Sequence, residues 1–127
     1  MKWGLAFGSS VGTEPDTAIE LCRVAESVGF ESVWGGEHVI MPDVIASKYP
    51  YTVDGKIPAT PDTLIPDPLI WLAYVAAAAP TLRLGTCILI LPQRNPVVLA
   101  KEIATLDRLS GGRVELGIGV GWMGAIA

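Results

Sequence analysis

The sequence predicts an α/β fold of about four parallel strands alternating with helices, on three observations. Short apolar segments bounded by Gly or Pro recur along the 127 residues. Between them lie stretches whose apolar residues return at helical spacing. One segment, residues 82–91, is almost wholly apolar, as in strands buried on both faces. Strands that alternate with helices in this way run parallel and are joined by right-handed crossovers. Two architectures satisfy the pattern: an open doubly wound sheet complete in itself, or four strands of a (β/α)8 barrel of about 250 residues. An open sheet ordinarily covers its last strand with a helix, whereas this chain ends a few residues after the fourth strand. That favours half a barrel, and residues 1–127 read as one domain without an internal boundary.

Each element has its own signature. Residues 2–7 form the first expected strand, ended by Gly8-Ser9-Ser10. Thr13-Glu14-Pro15-Asp16 has the shape of a capping box, with Thr13 as the cap. Ala18, Leu21, Cys22, Ala25 and Val28 then supply one buried helical stripe, and Gly29 stops it. Ser32-Val33-Trp34 is the second strand and runs into Gly35-Gly36-Glu37-His38. Residues 39–66, with five prolines and no sustained period, are a long surface loop. Asp67-Pro68 and Asn95-Pro96 each place a cap before a proline at the first helical position. The first of these helices stops at Pro80. The second carries Leu99, Ile103 and Leu106 on one face and ends at Ser110-Gly111-Gly112. Residues 82–91 are the third strand and residues 113–118 the fourth.

Composition excludes several function classes. Half of the residues are hydrophobic and 17% are charged, the opposite of a disordered chain. Nine scattered Lys and Arg against a net charge of −4 leave no surface that could neutralise nucleic-acid phosphates. The longest apolar run, residues 69–79, is too short to span about 30 Å of hydrocarbon, and the N-terminus lacks a signal-peptide pattern. Cys22 and Cys87 sit in separate apolar segments outside any metal-binding spacing, so both are expected to be buried, reduced thiols. A cytoplasmic protein is the expectation.

The residues that could carry chemistry lie where strands end, because in both architectures ligands collect at the C-terminal ends of parallel strands. His38, the single histidine, follows the second strand directly, where an imidazole can act as acid, base or hydrogen-bond donor. As a loop histidine it would have no chemical task. Glu37 beside it orients the ring or caps the next turn. Gly117-Ile118-Gly119-Val120-Gly121 has the outline of a dinucleotide fingerprint but lacks the following helix and acid. What survives is a glycine-rich strand end that lets something flat approach the backbone, or a simple tight turn. Gly85 in the buried strand marks a bulge or a close approach. Nothing cationic near Cys87 would activate it as a nucleophile. Asn95 is a helix cap, and Arg94 meets an anionic ligand or solvent. Trp34 and Trp122 read as core before cofactor stackers.

Taken together, these stretches resemble the luciferase-like flavin and deazaflavin oxidoreductases over nearly the whole chain. The landmarks are Ala25-Glu26-Ser27-Val28-Gly29-Phe30 into Ser32-Val33-Trp34, then Glu37-His38, then Arg83-Leu84-Gly85-Thr86. Pro92-Gln93-Arg94-Asn95-Pro96 follows. The most specific is Ala104-Thr105-Leu106-Asp107-Arg108-Leu109-Ser110-Gly111-Gly112-Arg113, and Gly117-Ile118-Gly119-Val120-Gly121-Trp122 closes the series. The resemblance implies a partial (β/α)8 barrel and a reduced flavin (FMN) or coenzyme F-420 lying across its mouth, the local flavour being closest to F-420-dependent members. It implies hydride transfer to, or oxygen activation on, a small-molecule substrate. His38 would contact the ring or substrate and transfer protons. Phe7, Thr86, Cys87 and Ile88 would form the wall behind the ring, with a non-proline cis bond at Cys87–Ile88. Met123-Gly124-Ala125-Ile126-Ala127 does not resemble the family's continuation. The chain is therefore expected to be a truncated enzyme whose site lacks the half that anchors the cofactor tail. A non-catalytic half-barrel that pairs as a homodimer through two strand edges and an apolar inner face is the alternative.

Overall fold

The computed structural model describes residues 1–124; Ala125, Ile126 and Ala127, the end of the stretch expected to leave the family pattern, lie outside the described residues. Strand β1 (Gly4–Leu5) leads through Phe7 into a short helix α1 (Gly8–Val11), followed by α2 (Pro15–Ser27) and β2 (Ser32–Gly35). After the loop come α3 (Pro68–Ala76), β3 (Arg83–Thr86), β4 (Leu89–Ile90) and a 3-10 turn (Leu91–Gln93). Helix α4 (Pro96–Ser110), β5 (Val114–Glu115) and β6 (Ile118–Gly119) complete the order. Residues 39–66 contain neither helix nor strand, as expected of a segment with that proline content.

Four strands pair in parallel in the order β1-β2-β3-β5, with Leu5 opposite Val33, Val33 opposite Leu84 and Leu84 opposite Val114. The spatial order follows the chain order without reversal. A doubly wound sheet reverses at a switch point, whereas a barrel adds each strand on the same side. The sheet is therefore an arc of a (β/α)8 barrel.

Two of the expected strands are each broken in two. Thr86 Oγ1 donates to the Gly117 carbonyl (2.8 Å) and accepts from Gly117 N (3.0 Å). A side chain thus replaces the ladder where the main sheet ends. Beyond it β4 and β6 pair separately, Leu89 opposite Ile118, and the Cys87–Ile88 peptide between β3 and β4 is cis. An unbroken apolar run cannot reveal this, because its signal is burial and burial continues across the break.

The caps follow the sequence at α3 and α4. Asp67 Oδ1 accepts from Leu69 N (2.9 Å) and Ile70 N (3.0 Å), and Asn95 Oδ1 from Val97 N (3.0 Å) and Val98 N (3.2 Å). Gly111 takes the left-handed conformation that ends α4. At α2 the expected Thr13 cap is not formed. Glu14 occupies that position without a side-chain hydrogen bond, and Pro15 opens the helix by its fixed φ alone.

Alternation along the strands separates two faces. Leu5, Val33, Leu84 and Val114 point to the helices, where Val33, Leu72 and Val75 are wholly buried with Cys22 of α2. Burial, with Glu26 adding to it, pushes the Cys22 thiol up to about 11. Cys87, expected to be buried, is exposed, because it falls in the break between β3 and β4. The opposite face carries Gly4, Ser32, Trp34, Arg83, Gly85 and Glu115. It is not the apolar surface expected. Arg83 Nε donates to Glu115 Oε1 (2.6 Å), and Trp34 Nε1 donates to Ser32 Oγ (2.8 Å). Trp34 lies flat on Gly85, where a Cβ would stand 2.5 Å from Cδ2 of the indole. Among the described residues no helix is long and apolar enough to cross a membrane.

One side chain fastens three elements. The Arg113 guanidinium donates to the carbonyls of Ala76 (2.8 Å), Ala79 (2.9 Å), Leu82 (2.6 Å) and Ser110 (2.6 Å). It thereby satisfies carbonyls left free at the ends of α3 and α4. Replacement by Met keeps the stem and removes every donor. Arg113→Met is expected to lower unfolding stability by about 2–3 kcal/mol, read as a lower urea midpoint at unchanged slope; an unchanged midpoint would show those carbonyls to be equally well served by water.

Candidate functional site

The C-terminal ends of β1, β2 and β3 meet in one place. Phe7 leaves β1 at φ 56, a left-handed backbone that turns its side chain outward, 58% exposed. Gly36, just past β2, is the meeting point: a Cβ there would lie 3.5 Å from the Cys87 carbonyl oxygen and 3.6 Å from Phe7 Cδ1. Cys87 N donates to the Gly35 carbonyl (2.7 Å), which fixes the break after β3 against the end of β2. Ile88 is 38% exposed and leans on Gly119, where a Cβ would collide with its Cδ1. Phe7, Cys87 and Ile88 thus form a continuous, largely apolar wall. Thr86 stands behind it, 1% exposed, with its hydroxyl committed to Gly117.

The glycines of residues 117–121 serve the protein's own packing. Gly117 has no room for a Cβ against the Thr86 carbonyl, and Gly119 receives the Ile88 side chain. The flat object expected at Gly85 is likewise internal, the indole of Trp34.

Glu37 does something the sequence did not suggest. It is buried, and its Oε2 accepts from Ile90 N (2.5 Å). Its Oε1 accepts from Arg94 Nε (3.0 Å) and pairs with Nη2 of the same guanidinium. Arg94 also reaches Asp67 Oδ2 (2.5 Å), on the carboxylate that caps α3. Burial pulls the Arg94 pKa down, and the hydrogen bonds to Glu37 and Asp67 more than reverse that, holding it charged. Neither Glu37 as a partner of His38 nor Arg94 as a free anion site describes this structure. Charge complementarity over 57 residues of sequence separation leaves no local pattern to read.

His38 follows Glu37 and is half-buried. Desolvation lowers its pKa below 6.5 against an opposing pull from Glu37, so the ring is neutral at pH 7. Its Nδ1 is buried without a hydrogen-bond partner among the described residues. Trp122, past β6, stands edge-on to it, ring centroids 6.2 Å apart at 73°. Tyr49 from the long loop packs against Trp122 at 5.0 Å and 71°. Tyr49 carried no signal in the sequence, because only the loop's path brings it there. Two surface hollows of about 350 and 340 Å³ lie elsewhere, one beside Arg94 and α4 and one between Trp71 and the start of α2. Among the described residues no cluster of His, Cys, Asp and Glu could hold a metal ion. The arrangement offers exposed apolar surface at the strand ends, with a half-buried imidazole two residues beyond Gly36.

Comparison with known proteins agrees with this fold. The profile of the family described as luciferase-like monooxygenase matches residues 3–126. An uncharacterized protein of Mycobacterium tuberculosis strain H37Rv is 37% identical over 96% of this chain and 43% of its own length. The oxygenase component of the flavin-dependent trigonelline monooxygenase of Acinetobacter baylyi is 33% identical over 84% of this chain and 24% of its own. Among solved structures, the oxygenating constituent of 3,6-diketocamphane monooxygenase from Pseudomonas putida, in complex with FMN, superposes with TM-score 0.67 and 26% identity. That match covers 95% of this chain and 30% of the neighbour. Coenzyme F-420-dependent tetrahydromethanopterin reductase from Methanopyrus kandleri superposes with TM-score 0.66 and 26% identity, over 94% and 27%. The chain thus spans less than half the length of these proteins.

Two outcomes follow from the charges at the site. Removing Glu37 leaves the Ile90 amide without its acceptor and Arg94 with Asp67 as its one remaining partner, so Glu37→Leu is expected to cost about 3 kcal/mol of stability; Arg94→Met in the same background should then restore part of it. For His38, the unfolded ring binds a proton below about 6.5, while the folded ring refuses it until its lowered pKa is reached. Stability from this group is full above pH 6.5 and is lost as pH falls through the folded value. Side-chain carboxylates generally titrate near about 4, below this window. The urea midpoint should therefore fall just below pH 6.5 in the parent and stay flat there in His38→Gln; parallel profiles would remove His38 as the cause.

Proposed function

The chain belongs to the luciferase-like monooxygenase family, and from that membership we propose that it forms the ring-side wall of a flavin-type oxidoreductase site. The observation that carries the proposal is the convergence of Phe7, Gly36 and the Cys87–Ile88 segment at the strand ends, with His38 at the rim. The residues fit a planar heteroaromatic ring. Phe7 and Ile88 present exposed apolar surface, Gly36 keeps the junction free of a side chain, and the buried Nδ1 of His38 lacks a partner among the described residues. When bound, the reduced ring supplies a hydride to a small organic substrate or electrons to oxygen.

The chain's own residues do the remaining work. Phe7, Cys87 and Ile88 would hold the ring's rear face and exclude water from it. Thr86, through its two hydrogen bonds with Gly117, would keep that wall at fixed depth. His38, neutral at pH 7, would accept or release the proton that accompanies transfer. Coenzyme F-420 is the favoured cofactor on the local sequence resemblance, with FMN the other candidate; solved neighbours of both kinds fit this fold equally well. A cytoplasmic setting accords with two unpaired cysteines.

A second reading rests on the sheet itself. Among the described residues, strands β1 and β5 each have one unpaired side in the β1-β2-β3-β5 order. A second copy of this chain could set its β1 beside β5 and its β5 beside β1, closing eight parallel strands by a two-fold axis. Such a dimer would complete the mouth around the wall described here.

Fluorescence titration of the folded chain with F-420 and, separately, with FMN tests the first reading, with sedimentation of the same sample testing the second. Saturable micromolar binding of one cofactor is expected, weakened by Phe7→Ala. A folded chain that binds neither overturns the cofactor site; a folded chain that stays monomeric at micromolar concentration overturns the pairing.

A further inference from the structure

The long loop holds two tyrosines in a fixed relation to the strand ends. Tyr49 N donates to the Gly55 carbonyl (2.7 Å) and Gly55 N donates to the Thr52 carbonyl (3.2 Å), so the segment closes into a turn. Pro50, with its fixed φ, separates Tyr49 from Tyr51. Ser47 Oγ accepts from Gly124 N (3.3 Å), which ties the loop to the segment that carries Trp122.

Three ring contacts then join four side chains in one series. His38 meets Trp122 with centroids 6.2 Å apart, Trp122 meets Tyr49 at 5.0 Å, and Tyr49 meets Tyr51 at 5.3 Å. One end lies at the strand ends, because His38 stands two residues beyond Gly36. The other end is in solvent, where Tyr51 is 80% exposed. Packing accounts for Tyr49, but a ring as exposed as Tyr51 gains little, since the hydrophobic gain scales with area removed from water. Trp and Tyr share a property that other apolar side chains lack: each can give up one electron to an oxygen-centred radical. Aromatic rings in contact pass electrons between them by tunnelling, which needs no cavity and no channel. The Trp122 Nε1 is buried with no hydrogen-bond partner among the described residues. An indole N–H only donates, and with no acceptor beside it the oxidised ring keeps its proton. That radical cation is a stronger oxidant than a tyrosyl radical, so the vacancy moves outward.

We propose that Trp122, Tyr49 and Tyr51 form a relay that carries oxidising equivalents from the strand ends to the protein surface. Its use rests on the proposed function, in which oxygen is reduced at the mouth; conduction along the rings does not. The oxidant is an oxygen-centred radical of the hydroxyl or peroxyl class, which takes one electron from the Trp122 indole. Tyr49 returns that electron to Trp122 and releases its phenol proton to water. Tyr51 then gives Tyr49 an electron and a proton and is left as a neutral phenoxyl radical. A thiol or ascorbate-class reductant in solution supplies Tyr51 with one hydrogen atom and restores the chain. In total the oxidant gains one electron, and the reductant loses one electron and one proton.

Pulse radiolysis of the cofactor-free full chain in azide solution tests the relay. The azide radical oxidises tryptophan in preference to tyrosine at neutral pH, and the two side-chain radicals absorb in separate bands. The expected result is conversion of tryptophan radical into tyrosine radical at a rate independent of protein concentration. A nitroso spin trap followed by peptide mass spectrometry should place the adduct on Tyr51. Tyr49→Phe and Trp122→Phe are each expected to lose the Tyr51 adduct, whereas Tyr74→Phe, which changes a tyrosine outside the series, should keep it. A parent chain without the conversion or without a Tyr51 adduct overturns the relay, as does an equal adduct yield in folded Tyr49→Phe or Trp122→Phe. The parent's adduct decides the matter where neither variant folds. A chain that binds neither cofactor yet passes this test loses the cofactor site and keeps the relay.

Discussion

A single buried carboxylate sets the geometry on which the rest of the site depends. Glu37 leaves β2 inside the protein, accepts the Ile90 amide of β4 and pairs with Arg94, which in turn holds the cap of α3 through Asp67. Three elements far apart in the chain are thus fixed at one charge. Burying a carboxylate is costly unless every lone pair is used, and here both oxygens have partners. The arrangement admits few alternatives, because a shift of β2 along β3 would leave the Glu37 carboxylate unpaired in a dry place and Arg94 with Asp67 alone. His38, the next residue, inherits its position from that constraint.

Around this anchor the strands approach one another more closely than ordinary side chains permit. Trp34 lies on Gly85, the Thr86 carbonyl meets Gly117, and Ile88 fits against Gly119. The three contacts have one physical character: a bulky group on one strand is matched by a missing Cβ on its neighbour. They allow the main sheet to end at Thr86 and a second ladder to begin at Leu89. The break exposes Cys87 and Ile88 at the barrel mouth. A continuous strand would have kept them buried, and the wall would not exist.

The loop of residues 39–66 is the least regular part of the chain and yet supplies the site's cover. Its internal turn at Thr52, Asp54 and Gly55 needs only local hydrogen bonds, so the loop can deliver Tyr49 without a strand or helix of its own. The helix side makes a contrast. Helix α3 is apolar nearly all round, and Ile70 and Tyr74 remain exposed there.

The sequence by itself determined the parallel α/β class, the caps at Asp67 and Asn95, the glycine stop at Gly111 and the place of His38 after β2. All of these rest on neighbours within a few residues, where periodicity, cap chemistry and backbone freedom act. It left Thr86, Cys87 and Ile88 inside one unbroken strand, residues 82–91, and only the family resemblance joined them to the wall. Only the tertiary structure decided between an open sheet and a barrel arc, because that choice lies in strand order. The role of Glu37, the exposure of Cys87, the Arg83–Glu115 pair on the inner face and the meeting of Tyr49, Trp122 and His38 were likewise settled in three dimensions. Each depends on groups 30 or more residues apart, or on a break inside an apolar run. A one-dimensional pattern records which residues must be buried; it does not record which of them face each other once they are.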